Sequence, residues 1–576
     1  MSDALVLVLD LGTHKCRAVV MDRRGAVAAR ATSPPYPTHR EQPGWAEQEP
    51  PDWWDAALSC VRDVLRQVKE SDIDALVPVG HGPSHLPLDE GGRPLRRALI
   101  WQDTRARDEA AWIAEHTTVD ERFRALGLHL PIAPGMGPAR FLWLRDKEPE
   151  TYARTAVMVQ PKDYLLLRLT GEVVSDRYGL KDLVHAHTGV FDPWYAETLG
   201  LRRSLIPRML TPWSLVGHTN AEQAKETGLR PGLPVACGTI DAFAGLIGSG
   251  GQDDGEVCDV SGTSEIVGLM RHAPAQPFEG FLCYPLVGGR SVTFGVTRAA
   301  GDSIDWFVRK IARADDFETW IRAFQERETH HVQGRDTRSV SQKEDRPRSG
   351  PQEWETHHVQ GRDTRSVSQE EDRPRSGPQE WETHHVQGGD TRSVSQKEDR
   401  PRSGPVLFWP YLDGERSPIW EADARGVFLG LDLETDVDTL GRAVLEGVAF
   451  SVRHNLDLLE RRTGTKPVRM WVGGGTARIG LLNQIKADVT GLDVLVPEEY
   501  EATARGAVAM ARVALGEAPD VLTAARSLVG EPKRLTPRPV WREHYERLLP
   551  IYSSLAETLR PAYRDLAKAR AAYPPR

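Results

Sequence analysis

Residues 4–22 read ALVLVLDLGTHKCRAVVMD, and residues 256–270 read EVCDVSGTSEIVGLM. Each stretch is a run of β-forming residues, a Gly-Thr turn and a second β-run, the pattern of a hairpin. Thr13 and Thr263 therefore stand at matching points of two hairpins, one in each half of the chain. One Gly-Thr pair is met in any tight turn. Two of them, each opening a half with the same strand-turn-strand order, point to a duplicated domain.

The totals agree with two domains. A chain of 576 residues is longer than a single hydrophobic core usually supports. A hydrophobic share of 40% with 27% charged residues is that of an ordinary globular protein. The net charge of -9 gives no attraction to nucleic acid or to an anionic membrane. The five cysteines, Cys16, Cys60, Cys237, Cys258 and Cys283, form no Cys-x-x-Cys, so neither a disulfide framework nor a zinc ribbon is supported. The start carries the acidic Asp3 and no basic segment before its apolar run, which is not the pattern of a signal peptide. No apolar run reaches the roughly 18 residues needed to span a bilayer. A cytoplasmic enzyme is expected.

Working outward from the first hairpin, Asp22-Arg23-Arg24-Gly25 turns the chain into a further strand, and a Pro-rich passage follows from Pro34 to Pro51. A helix is expected next, with Asp52 as N-cap and Trp54, Ala57, Leu58, Val61 and Leu65 on one face. Short strands near ALVPVG and ALIW alternate with helical stretches, which favours a mostly parallel sheet. One segment stands outside this plan. ETHHVQGRDTRSVSQKEDRPRSGPQEW begins at Glu328, begins again at Glu355, and a third copy from Glu382 runs out at Pro405. Solenoids have repeats of this length. Each unit here offers little apolar material beyond one Val and one Trp, too little to offset the entropy of ordering it. Residues 328–405 are therefore expected to be a disordered insertion, with the His pairs at 330/331, 357/358 and 384/385 solvated.

The chemistry lies in the glycines. Phosphate is held by backbone N–H groups, hydroxyls and a cation, and glycine lets the backbone approach closely. No G-x-x-x-x-G-K-[ST] occurs, so P-loop machinery is absent. In its place are three Gly-rich turns between strands: DLGTHK, SGTS and VGGGTA, the last with Gly473, Gly474 and Gly475.

With these motifs in their order, the sequence resembles the FGGY carbohydrate kinases. The resemblance runs through LDLGTHKCRAVVMD, PGWAEQEPPDWW, RPLRRALIWQDTRA and FLWLRDKEPETYARTAVMVQPKDYLLLRLTGEVVSD in the first half. It continues through SGTSEIV, PYLDGERSPIWEADARGVFLGL, AVLEGVAFSVR and GGGTARIGLLNQIKADVTGLDVLVPE in the second. It implies an α/β fold of two RNase H-like domains of the actin, hexokinase and sugar-kinase ATPase type, with an interdomain cleft. Their expected extents are residues 1–245 on the sugar side and 246–515 on the ATP side, the second interrupted by the repeats. A helical extension over 516–576 would follow.

The resemblance also implies roles. Asp10 matches an aspartate that sits near the Mg²⁺ of the nucleotide, and a carboxylate suits an ion that takes oxygen ligands and keeps its waters. Gly12, Thr13 and Arg17 match the hairpin that approaches the transferring phosphate. Gly262, Thr263 and Ser264 match the second phosphate loop, and Gly301 and Gly473–Gly475 match glycines lining the ATP site. Asp241 in CGTIDAFAG matches the aspartate that takes the proton of the attacking hydroxyl. The implied activity is transfer of the ATP γ-phosphoryl group to a hydroxyl of a small sugar or polyol (pentulose, hexulose, alditol or aldonate). Neither nucleic acid nor membrane is an expected partner, and a homodimer is compatible with the resemblance.

The substrate end departs from the better-known members. His81 stands where the glycerol and xylulose kinases commonly carry Gln. Gly82 and Pro83 stand where they carry polar side chains that grip substrate, and Gly135 where glycerol kinases place an aromatic ring. These differences predict a roomier acceptor pocket that handles glycerol poorly, with His81, Gly82, Asp103 and Asp241 around the substrate. Gly137 and Arg140 also depart from the family signature. His81 and His85 have a metal-pair spacing, but Pro83 between them argues against the helix that would align them. The rival reading is a non-catalytic sugar-binding or regulatory protein. A purely binding role would not require Asp10, Thr13, Thr263 and Asp241 together.

Overall fold

The first β-run forms β1 (Leu5–Leu11), which is buried along its whole length, as a strand covered on both faces must be. The computed structural model describes residues 5–128, 130, 132–262, 264–314, 319–324, 326 and 405–572. Residues 1–325 and 400–576 belong to one compact unit. The repeats expected to be disordered lie outside the described residues except for their last, Pro405.

β1 runs antiparallel to β2 (Cys16–Asp22), with Asp10 opposite Arg17, and β2 pairs with β3 (Val27–Thr32). On its other side β1 is parallel to β4 (Ile73–Gly80). The sheet continues through β5 (Leu215–His218) and β6 (Pro234–Ala236) in the order β5-β6-β4-β1-β2-β3. The second half repeats this arrangement. β7 (Glu256–Ser261) is antiparallel to β8 (Glu265–Arg271), and β9 (Leu282–Pro285) and β10 (Ser291–Thr297) extend that side. On the other side β7 is parallel to β11 (Arg469–Gly474), which is followed by β12 (Asp493–Val496) and β13 (Lys533–Leu535). The order β10-β8-β7-β11-β12 matches β3-β2-β1-β4-β6 strand for strand. The β1–β2 and β7–β8 connections thus occupy the same place in two copies of one fold.

Several helices position the site. α1 (Pro50–Val64) begins after Glu49, with Pro50 and Pro51 in its first turn, where a missing N–H leaves nothing unpaired. Asp52 therefore sits inside the first turn and is not the expected cap. α2 (Gly137–Lys147) and α3 (Pro161–Thr170) belong to the first half. α4 (Asp241–Gly248) closes that half, and α5 (Gly301–Trp306), α6 (Val437–Thr463), α7 (Gly480–Thr490) and α8 (Ala502–Ala514) belong to the second. β13 lies beyond residue 515, so the terminal extension completes the second sheet before α9 (Pro539–Ala572) packs on α7.

α4 and α8 lie between the two sheets. α8, from the second half, packs on β1 and β4, while α4, from the first, packs on β7 and β8. Glycines let the two backbones meet. A Cβ on Gly248 would fall 1.9 Å from the Ala502 carbonyl oxygen, and one on Gly506 1.9 Å from that of Ala244. Real Cβ atoms do not approach so closely, so any side chain here forces the helices apart. The buried Arg505 locks the crossing through a 2.8 Å bond from Nε to the Gly248 carbonyl.

Each half also holds a buried lysine among carboxylates. Lys162 Nζ on α3 is 2.6 Å from Asp163 and 3.1 Å from Asp176. Lys486 Nζ on α7 is 2.5 Å from Asp259 and 2.7 Å from Glu265, one on each strand of the β7–β8 hairpin. In Lys486, burial disfavours the charge, but Asp259 and Glu265 more than offset it and raise its pKa. Burial pushes the Glu265 carboxyl well up, against the pull of Lys486.

Candidate active site

Asp10 lies near the C-terminal end of β1 and is 5% exposed. One of its oxygens accepts a 2.5 Å bond from Arg17 on β2, while Oδ1 is buried without a partner. Asp10 holds the Arg17 guanidinium firmly charged, and Arg17 also reaches Glu501, just before α8, at 3.8 Å. Asp241 is the first residue of α4 and is partly exposed. Its Oδ1 accepts a 2.6 Å bond from the Ala242 N–H. Burial first, and then the neighbouring Asp10 charge, push its carboxyl up to about 7, against the pull of Arg17 and Lys181. A carboxyl poised there can accept a proton near neutral pH.

Thr13 lies in the turn between β1 and β2. Its Oγ1 accepts a 2.8 Å bond from the Trp101 indole N–H, which leaves the hydroxyl proton free to donate outward. Gly12 closes the turn with a 3.1 Å bond from its N–H to the Lys15 carbonyl, and the Tyr36 hydroxyl bonds the Gly12 carbonyl. On the other half, the Gly262 N–H bonds the Ser264 carbonyl at 2.8 Å, and the Gly301 N–H at the start of α5 bonds the Gly262 carbonyl at 3.1 Å. Gly474 pairs with Ser261 across β11 and β7, at a φ of 83° that favours glycine. A Cβ there would strike the Ser261 carbonyl at 2.2 Å, whereas one on Gly475 would meet only open space. Gly262, Ser264, Gly301 and Gly473–Gly475 are thus brought to one place. Thr263 lies outside the described residues.

The two groups face each other. Arg17 and Arg478 approach the two oxygens of Glu501 at 3.8 and 3.9 Å, and Asp302 on α5 feels the charge of His14 in the first hairpin. From the second half Arg416 lays its guanidinium over the Trp101 ring, 4.9 Å from the centroid. Cavities of about 640 and 380 Å³ are lined by other residues, Trp45 and Arg105 in one, Trp420 and Arg462 in the other. Chemistry, not hollow volume, marks this site.

At the expected substrate end the structure revises the sequence reading. His81 follows β4 and is 2% exposed; its Nδ1 is 2.9 Å from Ser84 Oγ and its Nε2 has no partner. Burial first, then His14 and Arg140, hold its pKa down to about 3, so the ring is neutral. Gly82 does not open a space, because a Cβ there would lie 2.7 Å from Ile240 and 3.3 Å from Gln160. Gly135 faces the Trp101 carbonyl and Arg140 in the same way, at 3.2 and 3.4 Å. Arg140 is 1% exposed and bonds the carbonyls of Pro83, Leu99, Ile100 and Asp103. Arg140 thus occupies the space beside Gly135, and Ile240 that beside Gly82. The Asp103 carboxylate is fully buried, taking the Ala46 N–H at 2.7 Å and the Arg105 guanidinium at 2.8 Å. Asp103 therefore braces the loop that carries Trp101 and does not face a substrate. Sequence reasoning missed Trp101, Lys181, Arg416 and Glu501, whose proximity depends on the meeting of distant segments.

The description "FGGY family of carbohydrate kinases, N-terminal domain" fits residues 5–248, and the C-terminal domain of the same family fits residues 259–515. The chain is 25% identical over 562 residues to a xylulose kinase of Bacillus subtilis, covering 96% of each. It is 25% identical over 571 residues to a gluconokinase of the same organism, covering 98% of this chain and 97% of that one. Among solved structures, gluconate kinase from Lactobacillus acidophilus superposes with a TM-score of 0.76 at 20% identity, over 98% of this chain and all of that one. The ligand-bound xylulose kinase of that organism gives the same TM-score and identity, with 98% and 99% covered. At this identity the two structures speak for the fold. Among the described residues no helix is long and apolar enough to cross a membrane.

Proposed function

We infer that this chain, which belongs to the FGGY family of carbohydrate kinases and phosphorylates a sugar, uses Asp241 as the base that activates the acceptor hydroxyl. One observation carries this reading: Asp241 is a partly exposed carboxyl held at about 7 beside Asp10 and Arg17, where the two halves meet. Phosphoryl transfer passes through a loose transition state, so the protein mainly positions the reactants and balances charge. In this reading Asp241 orients the hydroxyl and accepts its proton. The Thr13 hydroxyl and the backbone around Gly262, Thr263, Ser264, Gly301 and Gly473–Gly475 hold the ATP phosphates. Arg17 meets the transferring group. The buried, unpartnered Oδ1 of Asp10 fits an outer ligand of the Mg²⁺ that accompanies ATP, an ion that takes oxygen donors and retains water. Bound there, Mg²⁺ would offset the negative charge of the phosphates.

Polar atoms left single at the substrate end support a hydroxyl-rich acceptor. The Nε2 atoms of His81 and Gln160 are both buried without partners, and such groups in a native protein usually have one. Asp103 acts through its loop as a positioning residue. A coupled ADP-release screen over pentuloses, hexuloses, alditols and aldonates tests the reading. At least one compound should drive ADP release well above the ATPase background. ADP release that no acceptor stimulates would favour the binding protein instead. With the best acceptor, His81→Ala should raise its KM about tenfold and leave the KM for ATP alone, as expected for one lost hydrogen bond in a buried site. An unchanged acceptor KM would remove His81 from the site.

A further inference from the structure

Arginines on β2, on β3 and in the turn between them face glutamates at the two ends of α8. Arg23, in that turn, bonds Glu517 beyond the far end of α8, and Arg30 on β3 reaches Glu499 at 3.1 Å. These two are direct hydrogen bonds, and they fasten the halves. Glu501 behaves differently. Its Oε2 is 3.8 Å from Arg17 Nη1 on β2, and its Oε1 is 3.9 Å from Arg478 Nη2, at the end of the turn Gly475–Arg478 that follows β11. Neither distance makes a hydrogen bond, so one carboxylate faces a guanidinium from each half without gripping either. The Glu501 side chain is largely buried, makes no capping bond to α8, and has these arginines as its only ion-pair partners among the described residues. Its backbone belongs to the glycine turn of the second half. The carbonyl of Tyr500 accepts the Gly474 N–H at 2.8 Å, and a Cβ on Gly473 would lie 2.7 Å from that of Ala502. Its charge reaches into the first half, where Arg17 bonds Asp10 through Nη2 at 2.5 Å.

We propose that Glu501 is a positioning residue for phosphoryl transfer, setting Arg17 and Arg478 on either side of the transferring phosphate, and that Arg478 is a second cation for that phosphate. The proposal rests on the kinase reading above, in which Arg17 meets the transferring group, and adds an arginine of the second half to it. A contact without a hydrogen bond suits this task. Phosphate oxygens offer an arginine shorter, charge-assisted bonds. Both guanidiniums are half-exposed, so the side chains have room to turn from Glu501 to the nucleotide. The carboxylate between them limits how far they stray. An arginine bound outright by a carboxylate, as Arg30 is by Glu499, would first have to break that bond.

Glu501→Gln keeps the shape and removes the charge. With the best acceptor it should lower kcat by about tenfold to a hundredfold, because misplaced groups slow a reaction steeply. ATP affinity, read by calorimetry without acceptor, should hold or tighten, since two cations lose their competing carboxylate. A role in the fold alone would do the opposite, weakening ATP binding and lowering the melting temperature. Glu501→Asp should regain part of the lost kcat. Arg478→Gln should weaken ATP binding about tenfold, and Glu501→Gln added to it should lower kcat less than it does alone, as for residues that act together. Glu517→Gln, at the other end of α8 and roughly 20 Å off, removes an ion pair between the halves and should leave kcat near the wild-type value. Wild-type kcat in Glu501→Gln, Glu501→Asp no better than Glu501→Gln, additive losses in the double variant, or an equal loss in Glu517→Gln would each overturn the proposal. A wild type that no acceptor stimulates would sink the kinase reading alone. ATP binding weakened in Arg478→Gln and held in Glu501→Gln would then still support the placement of the two arginines, and the reverse pattern would overturn it.

Discussion

Asp241→Asn is expected to lower turnover with the best acceptor by at least about a hundredfold, the usual loss when a positioned general base is removed. Asn keeps the shape and the bond from the Ala242 N–H but has no affinity for a proton. ATP binding should be largely preserved, because the phosphate contacts come from other residues. The pH dependence gives an independent check. Asp241 must be ionised to act, and burial with the Asp10 charge pushes its carboxyl to about 7. The wild-type kcat/KM should therefore climb from pH 6 through about 7 and level off above, and the variant should lack that limb. Stability should move the other way. A carboxyl raised in the folded state stabilises it while protonated, an effect fully present below the ordinary carboxyl value and lost as pH rises through about 7. At pH 8 Asp241→Asn should thus melt no lower than the wild type. Near-normal turnover in this variant would assign the base elsewhere.

Lys486→Met should act on the fold. Removing the cation leaves Asp259 and Glu265, both fully buried, facing each other across the β7–β8 hairpin without the charge that balances them. Breaking a buried ion pair from one side typically costs about 3–5 kcal/mol. The effect would be read as a lower midpoint in urea unfolding of the full chain. The triple variant Lys486→Met, Asp259→Leu, Glu265→Leu should recover much of the loss, since a matched apolar set no longer buries a lone charge. A single variant as stable as the wild type would show that the triad does not hold the hairpin. Damage to nucleotide use beyond the stability loss would tie the triad to the placement of the Gly262 turn, which this hairpin carries.

How much of this was legible in the sequence follows the range of each interaction. The two Gly-Thr hairpins were readable because strand, turn and strand are contiguous, and the resemblance placed Asp10, Thr13 and Asp241 along the chain. The acceptor end was misread where volume mattered. Gly82 and Gly135 look like empty space in a string of letters, but Ile240 and Arg140, remote in sequence, fill it. Asp103 looked available until Arg105, two residues on, and the distant Ala46 N–H took its oxygens. The start of α1 was misjudged by local chemistry alone: Asp52 is a good cap, but Pro50 and Pro51 already fix the first turn. Trp101 and Glu501 gave no motif at all, since what singles them out is their contact with Thr13 and Arg17 from distant segments.

The glycine crossing of α4 and α8 gives the molecule a joint with no clearance. Gly248, at one end of α4, touches the backbone of α8, and Asp241 is the first residue at the other end. Seven residues of helix at about 1.5 Å each make a lever of roughly 10 Å. A turn of about 10° at the joint swings the carboxylate by roughly 2 Å relative to the phosphate turns of the second half. Misplacement by about 1 Å can reduce a reaction on the order of a hundredfold. The angle at which two bare backbones touch therefore meters the reach of the base, and a methyl group added at Gly506, far from any reacting atom, acts on the chemistry like a shim under a lever.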